Sequence, residues 1–132
     1  MPDATTAAQH LYSAFAAHDG QALLDAMTED FVGEVSSGMP LGVGGRHQGR
    51  EAMLRECWAP VFVAYDVNVE ADRYLEVSPS EVVALGFYRG QVRDTGIPFE
   101  ARFAHVLGVR DDLICSLEQI TDTGSWGRAN GG

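Results

Sequence analysis

Lysine is missing from this sequence: all nine basic side chains of the 132-residue chain are arginines. No ε-amino group is therefore available for a Schiff base, and lysine-dependent covalent chemistry is set aside. Positive charge is scarce altogether, nine basic against nineteen acidic side chains and a formal net charge of −10, and the arginines form no patch. That argues against nucleic acid and anionic membrane surfaces as partners. Only two cysteines occur, Cys57 and Cys115, without a CxxC pair or a disulfide framework, so both are expected as reduced, packed thiols. No stretch approaches the roughly 18 apolar residues of a membrane span, and the opening MPDATTAAQH has no basic region followed by an apolar run, so a cytoplasmic protein is expected. The glycine-rich stretch 42–49 lacks the lysine and the strand-to-helix setting of a phosphate-binding loop, and GxGxxG is absent. The histidines at 10, 18, 47 and 105 fall on separate elements with no HxxxH spacing, so neither a metal site nor a cofactor is expected.

The chain has a helical first half and a strand-like second half. Thr6 and Gln9 read as a capping box, after which Ala8, Leu11, Tyr12, Phe15 and Ala16 share one helical face. His18-Asp19-Gly20 breaks that helix, and Leu23, Leu24 and Met27 predict a short second one ending near Glu29-Asp30. A β-like run over 31–36 leads into a Gly- and Pro-rich loop over 37–45, with Arg46 and His47 also assigned to a solvated loop, gating of a pocket mouth being the alternative for both. A third helix is predicted from Gly49, kinked or nearing its end at Pro60. Alternation then takes over: Tyr65, Val67, Val69 and Ala71 begin the sheet, and segments 81–93, 99–109 and 113–122 follow across tight turns that imply antiparallel neighbours. Asp122 with Thr123-Gly124-Ser125-Trp126 reads as a turn or helix cap that ends the sheet. Helices first and sheet afterwards is an α+β pattern, one layer of helices on one face of a sheet, expected as a single domain over 1–132.

Five patterns in this order resemble the ketosteroid-isomerase/SnoaL-like superfamily, also called nuclear-transport-factor-two-like. They are Tyr12 on the first helix, HDGQALLDAMTEDF at 18–31, GRHQGREAM at 45–53, DTGIPFEARFAHV at 94–106 and VRDDLICSLEQITD at 109–122. GREAM in the third pattern and the pairing of AHV with LEQITD in the last two look most like the SnoaL-like branch, which includes polyketide cyclases. The resemblance implies a curved antiparallel sheet and three helices closing a cone-shaped, mostly apolar pocket. A fold does not carry a reaction with it, so the site must be argued from residues.

Strand alternation selects that site. If His105 faces inward, Phe103, Ala101 and Phe99 do too, giving one apolar stripe broken by one titratable group. On the final strand the matching set is Cys115, Leu117, Gln119 and Thr121. On the strand before, Tyr88 shares a parity with Gly86 and Gly90, whose small size would leave room for a ligand. The resemblance puts Tyr12 on the family's oxyanion-donor tyrosine and His105 on its acid position, while the family's carboxylate base falls near Val35 or Ser36. Glu34 is the nearest replacement. The expected catalytic set is thus His105, Tyr12 and Glu34, with Trp58, Tyr88, Phe103, Leu117, Gln119 and Thr121 around the substrate. His105 is favoured because an imidazole exchanges protons near neutral pH.

The function expected is a cofactor-independent cyclase or isomerase acting by acid–base catalysis on an apolar, enolisable, polyketide-like molecule. A non-catalytic small-molecule binding protein is the alternative. Epoxide opening is a further one, disfavoured because Ala, His and Gln stand where the superfamily's epoxide hydrolases need aspartates. Helices cover one side of such a sheet, and the other mixes Ala104, Val106 and Ile120 with Arg102 and Glu118, so a homodimer through that outer face is expected.

Overall fold

Asp3, not Thr6, starts the first helix. Its carboxylate accepts from the Thr6 backbone N–H at 2.8 Å and from the Thr6 hydroxyl at 2.9 Å, satisfying a helix-end donor one turn earlier than the expected capping box. The structure, a computed structural model, describes residues 3–129. Helix α1 (Ala4–Ala16) buries Ala8, Leu11, Tyr12 and Phe15 along one stripe. Asp19 caps α2 (Gly20–Asp25) by accepting from the N–H groups of Gln21 and Ala22.

The second helix ends four residues earlier than its composition suggests, because β1 (Met27–Val35) already begins at Met27. Pairing with the last strand, Met27 opposite Ile114, outweighs the local helical preference. After a 3₁₀ turn at Pro40–Gly42, residues expected as loop form an edge strand, β2 (Gly45–Gln48), antiparallel to β1. The next rod runs as α3 (Arg50–Met53), a π turn (Leu54–Trp58) and α4 (Ala59–Ala64). Pro60 has no N–H to give and its ring crowds the carbonyl one turn back. The helix widens just ahead of it and continues rather than stopping.

Strands β3 (Tyr65–Ser78), β4 (Glu81–Val92), β5 (Pro98–Arg110) and β6 (Leu113–Thr121) follow, and α5 (Thr123–Ala129) ends the described chain. The six strands lie in the order β2-β1-β6-β5-β4-β3. Neighbours are antiparallel as expected, except that β1 joins β6 in parallel. Asp111 and Asp112, both at positive φ, make the two-residue turn between β5 and β6, the geometry that matches the twist of a hairpin. Asp122 ends the sheet as a cap, accepting from the N–H and the hydroxyl of Ser125.

Curvature in β3 and β4 depends on two glycines. A Cβ at Gly86 would run into the Glu70 carbonyl, and one at Gly90 into that of Asp66. These positions let the partner strand curl in and fill the space themselves; they leave no gap for a ligand, contrary to the expectation from their size. Among the described residues no helix is long and apolar enough to cross a membrane.

Candidate active site

Alternation along β5 turns Ala101, Phe103, His105 and Leu107 into the core and Glu100 and Arg102 outward. The inward parity of this strand is as expected. On β6, Leu117 and Gln119 point in as expected, but the register shifts between Gly108 and Val109 of β5, where Ser116 and then Ile114 are the partners. The extra residue is Cys115. It falls in the bulge, and Ile114, fully buried, takes the inward place assigned to it.

His105 is 2% exposed and is held on both sides of its ring. Phe103 stacks on it with centroids 4.0 Å apart. The Tyr12 hydroxyl lies 2.7 Å from Nδ1 and the Tyr88 hydroxyl 2.6 Å from Nε2. Gln119 donates from Nε2 to the Tyr88 oxygen at 2.9 Å. Its orientation is set by Ser36, whose backbone N–H can only donate and meets Gln119 Oε1 at 3.2 Å, while the Ser36 hydroxyl donates to the Gln119 backbone carbonyl at 2.8 Å. A continuous chain of hydrogen bonds therefore runs from Ser36, just past the end of β1, through Gln119, Tyr88 and His105 to Tyr12 on α1.

Burial governs the charges. Removal from water pushes the His105 imidazole down to about 3, so it is neutral at physiological pH. Burial likewise raises the hydroxyls of Tyr88 and Tyr12 well above the ordinary phenol range, Tyr12 further by its proximity to Tyr88 and Tyr74. The Cys57 thiol is pushed up to about 12 for the same reason, which leaves it inert.

Tyr88 and Gln119 also line a narrow cleft, largely filled by its own side chains, with only about 20 Å³ of room for a water-sized group. The helical rod contributes Cys57, Trp58, Val61 and Phe62, and β3 contributes Val67 and Val69. Phe15, Met39 and Trp126 complete the wall from α1, the loop after β1 and α5. Neither His105 nor Tyr12 reaches this cleft; both lie behind Tyr88.

Of the residues expected at the site, Tyr12, Tyr88, Phe103, His105 and Gln119 come together, and Trp58 joins them across the cleft. Three stand apart. Glu34 is on the outer face of β1, paired at 3.1 Å with Arg46, its partner in register on β2. Leu117 is packed in the core away from the cleft. The Thr121 hydroxyl donates to the Arg102 carbonyl and accepts from Trp126 Nε1, stitching β5 and α5 to the sheet. Ser36, which orients Gln119, was not expected at the site, nor were the cleft residues Phe15, Met39, Val61, Phe62 and Trp126. The uncertainty between Val35 and Ser36 at the base position was the one signal for Ser36. His47, expected in a loop, is buried on β2, with Nε2 2.6 Å from the Val43 carbonyl and Nδ1 2.9 Å from Glu56. It ties the loop that carries Met39 to the helical rod. No three His, Cys, Asp or Glu side chains converge as a metal site among the described residues.

The family model for the SnoaL-like domain matches residues 8–117. The chain belongs to the SnoaL-like domain family. Among solved structures, this SnoaL-like chain is similar to an NTF2-like protein from Burkholderia thailandensis, 25% identical, with 98% of each chain covered and a TM-score of 0.88. It is also similar to TerC co-crystallised with polyporic acid, at 23% identity, 97% and 98% coverage and a TM-score of 0.85. A candidate polyketide cyclase from Sinorhizobium meliloti is 22% identical over 91% and 95% of the chains, with a TM-score of 0.67. No curated protein matches the chain. Low identity with close superposition shows a shared NTF2-like, ketosteroid-isomerase-like fold, and leaves the chemistry to the site.

Proposed function

We propose that this SnoaL-like protein is a cofactor-independent cyclase or isomerase that acts on an apolar, enolisable, polyketide-like carbonyl compound. One observation carries the reading: a buried hydrogen-bond chain, Tyr12–His105–Tyr88–Gln119, ends in an otherwise apolar cleft. Such a site excludes water and offers preorganised hydrogen bonds where charge develops on oxygen. The likeness to a candidate polyketide cyclase from Sinorhizobium supports this substrate class. Because little of the cleft admits water, a ligand enters by displacing half-buried side chains such as Trp58 and Phe62.

Trp58 and Trp126 are the two tryptophans of the chain and both line the cleft, so intrinsic fluorescence reports its occupancy. Titration with a panel of aromatic ketones and 1,3-diketones is expected to change that fluorescence. Proton NMR in heavy water should then show exchange of the carbon-bound protons next to the carbonyl faster than in buffer alone. Binding without faster exchange by any member of the panel would favour a second reading, a non-catalytic binding protein. The absence of carboxylate, imidazole and amine groups from the described lining of the cleft speaks for that alternative.

We also propose that the outer sheet face pairs with a second copy of the chain. Phe87 on that face lies under two guanidinium groups, with Arg89 4.1 Å and Arg102 4.5 Å from the ring centroid, and Ile120 is 55% exposed. Apolar and paired charged groups on one face suit a self-complementary contact. Light scattering at tens of micromolar, an order-of-magnitude choice that spans ordinary dimer affinities, is expected to give twice the 14.2 kDa chain mass. Ile120→Glu should return it to the single-chain value; a single-chain mass for the unaltered protein would overturn the proposal.

A further inference from the structure

We propose that the groups presented to the ligand are the hydroxyl of Tyr88 and the second Nε2 hydrogen of Gln119. They form a two-donor cradle for one carbonyl or enolate oxygen, and His105 and Tyr12 act behind Tyr88 to set where its proton points. The proposal rests on the reading of the cleft as a carbonyl-compound site and assigns the contacts within it.

Counting hydrogens leads there. Gln119 has its carbonyl oxygen committed to the Ser36 N–H, so its amide nitrogen faces Tyr88 and donates. That nitrogen carries two hydrogens, and one is used. A neutral imidazole has one N–H and one lone pair, and both of its neighbours here are phenol hydroxyls. Two arrangements satisfy the ring. In the first, Tyr88 donates to Nε2, Nδ1 donates to Tyr12, and the Tyr12 hydrogen is left over. In the second, Tyr12 donates to Nδ1, Nε2 donates to Tyr88, and the Tyr88 hydrogen is left over.

Only the second sends its spare hydrogen towards the cleft, because Tyr88 lines it and Tyr12 does not. A ligand oxygen in the cleft therefore selects the Nε2–H form of His105. In that form the Tyr88 oxygen accepts from both His105 and Gln119, which polarises its O–H and strengthens it as a donor. The free Gln119 hydrogen lies on a nitrogen 2.9 Å from the same oxygen, close enough for both donors to meet one acceptor. Complete transfer of the Tyr88 proton, replenished through His105, would leave a phenolate on buried Tyr12, whose hydroxyl is held well above its ordinary range by loss of solvent. The hydrogen is thus shared with the ligand and not given up. The cradle suits a carbonyl compound whose oxygen gains negative charge as it reacts. Tyr88 and Gln119 touch the ligand; His105 and Tyr12 are positioning residues.

The test uses 9-fluorenone, an apolar ketone with one oxygen, bound to the full-length protein. Occupancy is followed by tryptophan fluorescence and hydrogen bonding by the infrared C=O stretch of the bound ketone. The expected result is a band well below its position in alkane. Tyr88→Phe should raise it most of the way back, with affinity weakened by no more than about tenfold, the value of one ordinary hydrogen bond. Gln119→Leu should give an intermediate band and serves if Tyr88→Phe does not fold. Tyr12→Phe, which touches no ligand, should also move the band part of the way with little change in affinity, an effect that a purely structural role would not produce. Binding with a band at the alkane position, or a band that Tyr88→Phe and Gln119→Leu leave in place, overturns the donor assignment alone. No change in fluorescence at saturating ketone overturns the carbonyl-site reading as well.

Discussion

Lowering the pH from 7 to 4 is expected to cost the native protein on the order of 3 kcal/mol of stability through His105 alone, at 1.36 kcal/mol per unit of displaced pKa. Burial holds the folded imidazole at about 3, against an ordinary value of 6.5. Between those two values the unfolded chain binds a proton that the folded chain refuses, so protons pull the equilibrium towards the unfolded state. The contribution is complete above about 6.5, declines as pH falls through that window, and is exhausted near 3, where both states carry the proton. Every group bonded to the ring is neutral, namely the hydroxyls of Tyr12 and Tyr88, so no carboxylate is at hand to stabilise an imidazolium. Urea midpoints at several pH values measure the effect, with His105→Phe as the reference. The carboxylates of Asp3, Asp30, Glu56 and Asp122, held below their ordinary values chiefly by hydrogen bonds from Thr6, Arg110, His47 and Ser125, lose their advantage in acid in both proteins. The difference between the two profiles therefore isolates the histidine, and parallel profiles would show that His105 is not the buried neutral group described.

Replacing His105 by Phe at pH 7 is expected to destabilise the protein by about 3 kcal/mol, since each buried hydroxyl stripped of a partner costs roughly 1–3 kcal/mol. Phe preserves the stack on Phe103 and most of the volume, so the loss comes from hydrogen bonds and not from a cavity. Tyr12 loses its one bonded neighbour, while Tyr88 keeps Gln119. The melting temperature should fall by about 10 °C for a chain of this size. Adding Tyr12→Phe then removes the orphaned hydroxyl. The double variant is expected to be more stable than His105→Phe by about 1 kcal/mol, although it carries one more substitution. Thermal unfolding of the four proteins, followed by circular dichroism, decides it. Simple additivity of the two single costs would mean that the 2.7 Å contact contributes no coupling, and the chain behind Tyr88 would lose its energetic basis.

These two expectations turn on the feature that changes the picture of the site. His105 occupies the inward position on β5 that its sequence neighbours imply, but it is sealed between aromatic rings and held neutral. It does not line the cleft, and its link to that cleft runs through the Tyr88 hydroxyl. Glu34, the carboxylate nearest in sequence to a base, faces solvent because Phe31, Gly33 and Val35 on the same strand face the core. That placement was legible beforehand, since residues of opposite parity on a strand cannot share a face.

The family resemblance alone brought Tyr12 to His105; periodicity and turn chemistry in the sequence were sufficient for helices ahead of a sheet, the inward stripe of β5, the shared parity of His105 and Gln119, and a tight reversal between the last two strands. These are local or period-two properties, set by where Cβ points and which residues tolerate a turn. Only the tertiary structure decided the rest. Strand pairing across the chain started β1 at Met27 and made a strand of 45–48. A bulge in β6 exchanged Cys115 for Ile114. Close approach of β3 turned Gly86 and Gly90 from ligand space into contact points. Depth decided the chemistry: no pattern along the chain distinguishes a histidine that lines a cleft from one a single ring behind it. Desolvation and the hydrogen-bond partners that tell them apart come from α1, β1, β4 and β6 at once, elements that folding alone brings together.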